Sequence, residues 1–342
     1  MRIILQLEWR NNQKEDWEVA MANSELLKSK RVYTRKQKRL VFYTLMFALP
    51  ILQLLLFYIY VNFNSIILAF TNSVPKQVGY GYDISFTWEH FSTALNYFFG
   101  SESGRMLWNS LQLFICQIFI VTPLALLFSY YIAKEKVGSM FFRIMLYLPQ
   151  VLSVVVLGVI FQYLANDVWV EVAKSVFGIE NAKGLLLTSS DPSAQFYTTL
   201  IFTLWFSFGA NVIIYTGAMS GVDQSIVESA QLDGVNTLQE VIFIYVPMIF
   251  STVSTFVITS LAGIFNNQMN LHVFFNNGAP QEVNTFGYYF YRIAAKHVEN
   301  TAGGKDMLLE ELAALGLIAT FILVPITLLT RKLLRKYGPS VE

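Results

Sequence analysis

Apolar residues along the chain come in six blocks of 20 or more residues, at about 41–70, 107–133, 141–165, 196–220, 241–265 and 311–330. A helix that crosses a bilayer needs roughly 20 such residues. The pattern therefore predicts an all-α membrane protein with six transmembrane helices. The first block is long enough to tilt or overrun the membrane. Pro50, Pro123, Pro149, Pro247 and Pro325 fall inside the blocks. Each removes a backbone donor and marks a place where a helix can kink, provided neighbours re-satisfy the freed carbonyl.

Composition agrees with this pattern. Of the 342 residues, 54% are hydrophobic and 14% charged, against roughly 25% charged in an average soluble domain. The net charge of +1 singles out no partner, but its distribution orients the chain. Lys28, Lys30, Arg31, Arg35, Lys36, Lys38 and Arg39 precede the first block. Lys134, Lys136 and Arg143 lie between the second and third, and Arg331, Lys332, Arg335 and Lys336 follow the last. Six crossings put all of these on one side, which the positive-inside rule makes cytoplasmic. Basic tails 1–40 and 331–342 then flank a membrane domain 41–330, with both termini cytoplasmic in a multi-pass cell-membrane protein. Loops 71–105, 166–194 and 266–308 face outward. The run before the first block serves topology rather than lipid recognition. The opening MRIILQLEWR is too short in its apolar part for a signal peptide. Met21 offers a second start, so residues 1–20 are expected to be a dispensable extension.

Enzyme chemistry finds no footing. Cys116 is the only cysteine, so neither an internal disulfide nor a thiolate metal site can form. TAGGKDM has Glu299 and Asp306 where a phosphate loop needs glycine and a hydroxyl residue. His90, His272 and His297 lack metal spacing. No catalytic residue, metal, cofactor or nucleic-acid partner is expected. A secondary carrier or channel is the competing class, but carriers often hold ionisable groups mid-span. Here Glu310 and Glu311 sit at the edge of the sixth block.

The loop 221–240 breaks the charge rule. It falls on the cytoplasmic side, yet it holds Asp223, Glu228, Asp233 and Glu240 and no Lys or Arg. SIVE reads as a capping box from Ser225 to Glu228, opening a short helix that stops at Gly234. TLQE, Thr237 to Glu240, reads as a second box opening the fifth span. Ile226, Val227, Ala230 and Leu232 give the short helix apolar positions without a core of their own, which points to docking of another protein. A helix lying on lipid would be rich in Lys and Arg.

Polar residues inside the fourth and fifth blocks are candidates for a solute path. Thr203, Ser207, Asn211 and Tyr215 recur every four residues and share a helix face. Thr255, Thr259, Ser260 and the run FNNQMN follow in the fifth. Neutral amides and hydroxyls suit a sugar or polyol. For any one of them, bonding within its own helix is the weightier alternative.

The loop also carries a resemblance. Permease subunits of binding-protein-dependent ABC importers have E-A-A, two residues, D-G-A, and I-x-L-P beginning after nine residues counted from that G. This chain has Glu228, Ser229, Ala230, Asp233, Gly234, Ile244, Val246 and Pro247 at that spacing, with Ser229, Val235 and Val246 as mild departures. LPILQLLLFYIYVNFNSIILAFTN, WNSLQLFICQIFIVTPLALLFSYYIA, FRIMLYLPQVLSVVVLGVIFQYL and FFNNGAPQEVNTFGYYFYRIAA resemble segments of the maltose and glycerol-phosphate type of sugar permease. The resemblance implies a type I ABC importer permease fold with a cytoplasmic coupling helix. It implies a path for a carbohydrate, an oligosaccharide by preference, with a glycerophosphate or polyol as the alternative. It also implies a second homologous permease, a dimer of ATP-binding subunits that uses ATP and Mg, and an extracytoplasmic solute-binding protein. Glu228, Ser229, Ala230, Asp233, Gly234, Ile244 and Pro247 become the coupling residues. Ser260 and Asn267 match that family's sugar-site motif, and Trp205 matches its fourth-span pattern. Ser207 and Gly263 stand where the maltose permease has a glycine and an aromatic ring. Ser260 and Asn267, seven residues apart, are expected two turns apart on one helix face.

Overall fold

The computed structural model describes residues 35–75, 82–187, 189–299 and 307–339. The expected dispensable extension 1–20, the basic residues Lys28, Lys30 and Arg31, and the segment 301–306 lie outside these. Contacts divide the chain into two units, Met1–Asn64 and Ser65–Glu342. The described part of the first is wholly helical and shows large apolar side chains on every face, Leu45 and Phe57 among them. Such a surface suits lipid or another apolar surface rather than water.

In chain order the long helices are α1 (Arg35–Phe70), α3 (Ser101–Ala133), α5 (Val154–Ser175), α6 (Pro192–Ser220) and α12 (Leu309–Tyr337). All are long and apolar enough to cross a membrane. Two further helices, α8 (Thr237–Met248) and α9 (Phe250–Ala262), meet at a bend of 76° and together are long and apolar enough for a sixth span. Shorter helices are α2 (Glu89–Phe98), α4 (Ser139–Val151), α7 (Gln224–Leu232), α10 (Leu271–Phe275) and α11 (Phe286–Val298). A two-stranded antiparallel hairpin, β1 (Thr71–Pro75) and β2 (Tyr82–Phe86), departs from the all-α expectation.

The prolines act differently from place to place. After Pro149 the expected third span 141–165 breaks at Leu152–Ser153, so the crossing helix is α5, starting at Val154 and running on to Ser175. Pro247 follows a π-helical turn, Val241–Tyr245, and the chain bends at Ile249. Pro123 follows another π turn, Gln117–Val121, where Thr122 Oγ1 donates to the Gln117 carbonyl at 3.0 Å. That hydroxyl re-satisfies one backbone group in the locally altered ladder. Pro325 leaves α12 unbroken, and this helix carries the basic residues 331–336 in its last turns, where positive charge suits the helix dipole.

Within the second unit, the last turns of α3 pack along α6, and α12 packs on α2. The helix with the most buried apolar window is α6. Its Phe202, Val212 and Tyr215 are wholly buried, whereas Phe119, Val159 and Phe321 face outward from their helices.

Candidate functional site

Two places in the second unit gather the residues singled out from sequence, and α3 runs past both. The first is a cleft of about 300 Å³ formed by α3, α6, α9 and the turn after α9. Polar lining comes from Ser110 and Gln117 of α3, from Thr203, Ser207 and Asn211 of α6, and from Thr259, Ser260 and Asn267. Of the predicted path residues, Thr203, Ser207, Asn211, Thr259, Ser260 and Asn267 therefore meet, whereas Tyr215 is buried in a separate cluster with Met219 and Tyr245, and Thr255 Oγ1 donates to the Ser251 carbonyl at 2.7 Å. Trp205 does not line the cleft: two positions along α6 from Thr203 and Ser207, it is 44% exposed and lies against Phe202.

Several of these groups are already committed within the protein. Thr203 Oγ1 donates to the Met269 carbonyl at 2.9 Å and fixes the turn 266–270. Ser110 Oγ accepts from Phe286 N at 3.2 Å, which holds the start of α11. Ser207 Oγ lies 3.0 Å from both Gln117 Oε1 and the Leu204 carbonyl. Asn267 Oδ1 accepts from Met269 N at 2.9 Å. Asn211 differs: its Nδ2 is buried and has no partner among the described residues. A buried amide donor without a partner carries a desolvation cost of about 1–3 kcal/mol that a ligand can relieve.

Ser260 and Asn267 do reach one cleft, but not as neighbours on one helix. Helix α9 ends at Ala262, and Asn266 and Asn267 both donate their N–H to the Gly263 carbonyl in the turn that follows. Gly287 permits this arrangement. A β-carbon there would come within 2.5 Å of Asn266 backbone atoms, so α11 abuts the turn directly. Gln117 was missed from sequence. Asn109, Gln112 and Gln117 are all amides in the second apolar block, and nothing local singled out the last of them.

The second place is the loop between α6 and α8. Helix α7 starts two residues earlier than the sequence suggested. Asp223, not Ser225, is its N-cap, with Oδ1 accepting from Ser225 N at 2.9 Å. That backbone bond holds the Asp223 carboxyl below its ordinary range. At the other end, Val235 N donates to the Ala230 carbonyl and Gly234 N to Gln231. These two bonds are a Schellman motif, with Gly234 at φ +84° as expected. Asp233 is the C-cap residue. The second capping box is real but sits one residue upstream, between Asn236 and Gln239.

The short helix is not without a core. Val227 is wholly buried in a cluster that includes Met219, Tyr215 and Tyr245. Ala230 is half-buried, while Ile226, Leu232, Glu228 and Ser229 face outward, Leu232 at 90% exposure. Ile244 packs against the same cluster as Val227.

Glu240, read from sequence only as a capping residue, joins the two regions. It is buried, and its Oε1 lies 2.7 Å from Lys134 Nζ, just past α3. Tyr130 Oη donates to Oε2 at 3.1 Å, and Gln231 Nε2 of α7 reaches the same oxygen at 3.3 Å. Lys134 also sits over the Tyr245 ring. Burial is the largest single influence on Lys134 and would lower its pKa, but the bond and charge of Glu240 together with Tyr245 outweigh it and the value is raised. Among the described residues no group of three or more His, Cys, Asp or Glu is placed to hold a metal.

Comparison with known proteins places this arrangement. Residues 122–342 match the family model of the binding-protein-dependent transport system inner membrane component. The arabinooligosaccharides transport system permease protein AraP of Bacillus subtilis (strain 168) is 24% identical over 292 residues, 84% of this chain and 87% of that protein. The lactose transport system permease protein LacF of Rhizobium radiobacter is 28% identical over 197 residues, 55% of this chain and 64% of that protein. The maltose/maltodextrin permease protein MalF of Escherichia coli (strain K12) is 22% identical over 265 residues, 72% of this chain and 49% of that protein. A bacterial ABC transporter involved in the import of the acidic polysaccharide alginate shares the fold, with a TM-score of 0.66 at 18% identity, covering 90% of this chain and 99% of that one. This multi-pass membrane protein has the type I ABC permease fold and belongs to the family of binding-protein-dependent transport system inner membrane components.

Proposed function

We propose that the chain is the transmembrane subunit of an ABC importer, forms the translocation path for a carbohydrate, and couples through 221–240 to a separate ATPase. Three relatives bear the names of permeases for arabinooligosaccharides, lactose and maltodextrin. The observation that carries the solute class is the cleft itself. Its polar lining is all amide and hydroxyl, with no Lys, Arg, Asp or Glu, and Asn211 keeps a buried donor free of partners among the described residues. A glycerophosphate would ask for a cation there, so a neutral sugar is the better fit.

Coupling rests on α7. Its outward residues Ile226, Glu228, Ser229 and Leu232 form a surface for the ATPase, while Val227 and Glu240 fasten it to the membrane domain. ATP and Mg belong to that partner, and this chain holds no cofactor. A second homologous permease and an extracytoplasmic solute-binding protein complete the importer, and both termini are cytoplasmic.

The test is uptake of labelled arabinooligosaccharide, lactose and maltodextrin at limiting concentration. Losing one neutral hydrogen bond costs about 0.5–1.5 kcal/mol, so Asn211→Ala should lower uptake of the transported sugar roughly two- to tenfold with assembly intact. Wild-type uptake by that variant at limiting sugar would remove Asn211 from the path.

A further inference from the structure

Beyond the cleft, a second polar pocket of about 190 Å³ opens at the other extreme of α3 from Lys134. Tyr97, Glu102, Arg105, Asn284, Tyr289 and Arg292 line it. It is built rather than incidental. Asn109 Nδ2 donates to the carbonyls of Glu282 and Asn284 at 2.8 and 2.9 Å, which pins that segment to α3. The Tyr97 and Tyr289 rings stack at 5.1 Å, and the Arg292 guanidinium lies over Tyr289. Two groups here are incomplete. Arg292 Nε and Asn284 Oδ1 are buried and lack hydrogen-bond partners among the described residues.

One is a donor and the other an acceptor. A carboxylate satisfies the guanidinium but meets the amide oxygen lone pair with its own. An ammonium does the reverse. A hydroxyl donates and accepts, and completes both. Charge selects no ion here: Arg105 lies 3.8 Å from the Glu282 carboxylate, and Glu102 offsets Arg292, so the hydrogen-bond pattern decides. The volume lies below the ~300–1,000 Å³ of sites that hold drug-sized ligands, so the occupant is one ring, not a chain. Glu102 precedes Ser110 of the cleft by eight residues along α3, roughly 12 Å of helix.

We infer that this pocket is an entry subsite that holds one neutral sugar unit through a hydroxyl bonded to Arg292 Nε and Asn284 Oδ1, ahead of the cleft. The inference rests on the carbohydrate reading of the cleft. It assigns recognition to residues that the sugar path from spans four and five does not include.

The full chain in lipid nanodiscs is titrated with arabinobiose, lactose, maltose and galacturonate, with saturation-transfer NMR to detect contact. Arg292→Lys keeps the cation over Tyr289 and removes the Nε donor; Asn284→Ala removes the acceptor. Each should weaken binding of a neutral sugar about tenfold with the unfolding temperature unchanged. If Asn284→Ala unfolds, Arg292→Lys alone decides. Sugar binding that is wild-type in Arg292→Lys but weakened in Asn211→Ala overturns the subsite and leaves the carbohydrate reading standing. Arg292-dependent binding of galacturonate tighter than of any neutral sugar also overturns it, because the pocket is then an anion site. If no sugar binds the wild-type chain, the subsite is refuted, and the uptake assay decides separately whether the carbohydrate reading falls too.

Discussion

Gly234 closes α7 with φ +84°, and an added β-carbon there would meet nothing within 4 Å. The cost of a side chain is therefore conformational, about 1–2 kcal/mol, and not a clash inside this chain. Gly234→Asp should insert and fold normally, yet lose uptake and release the ATPase on co-purification, because the new carboxylate meets a partner. Full transport by Gly234→Asp would remove the loop from coupling. Gly287 is the opposite case, since its β-carbon would overlap the backbone of Asn266 and Asn267. Overpacking of this kind costs about 1–3 kcal/mol. Gly287→Ala should lower the unfolding temperature and also weaken uptake, by displacing the turn that carries Asn267. Equal unfolding temperatures for variant and wild type would contradict the close approach.

The joint between α7, α8 and the end of α3 is a buried polar network. With Lys134 and Glu240 at 15% and 4% side-chain exposure, removing one partner strands the other. Breaking a buried pair typically costs roughly 3–5 kcal/mol, whereas replacing both members with apolar residues is often neutral. Glu240→Ala should thus destabilise the protein clearly, and Lys134→Met combined with Glu240→Leu should restore the unfolding temperature. Uptake separates structure from coupling. If the pair positions α7, the double variant is stable but transports poorly, since Gln231 then loses its anchor on Glu240. Additive effects of the two single changes on stability would mean that the pair is not coupled.

At the scale of the whole molecule, α3 orders the sites. Arg105 near its start lines the second pocket, Ser110 and Gln117 line the cleft, and Lys134 just beyond its end holds the loop. With 33 residues it is roughly 50 Å long, more than a bilayer core, and the pocket at Arg105 and the loop lie at its opposite ends. Reporters fused after Lys336 and near Lys30 should both signal cytoplasm, and one within 276–284 should signal outside. A cytoplasmic signal from 276–284 would invert the orientation and take the coupling role of α7 with it.

Features fixed by local physics were legible in the sequence. Block length against bilayer thickness located the five long helices and the bent pair α8–α9, and the demand for positive φ placed the stop of α7 at Gly234. The cytoplasmic-loop motif also lay in one short stretch. Where two local solutions were equally good, the sequence left the choice open. Ser225 and Asp223 can both cap α7, and Thr237 and Asn236 can both cap α8; the structure has Asp223 and Asn236. The break after Pro149 is similar, because proline weakens a helix but its neighbours decide whether it ends. Contacts between distant residues were not legible at all. Val227 found a core only because α6 and α8 bring Tyr215 and Tyr245 to it. Glu240 met a lysine 106 positions away, and Gln117 met Ser207 across 90. Apolar pattern records that a residue faces away from water. It does not record which helix it faces, and that choice, made by packing, assembled both the cleft and the joint beneath it.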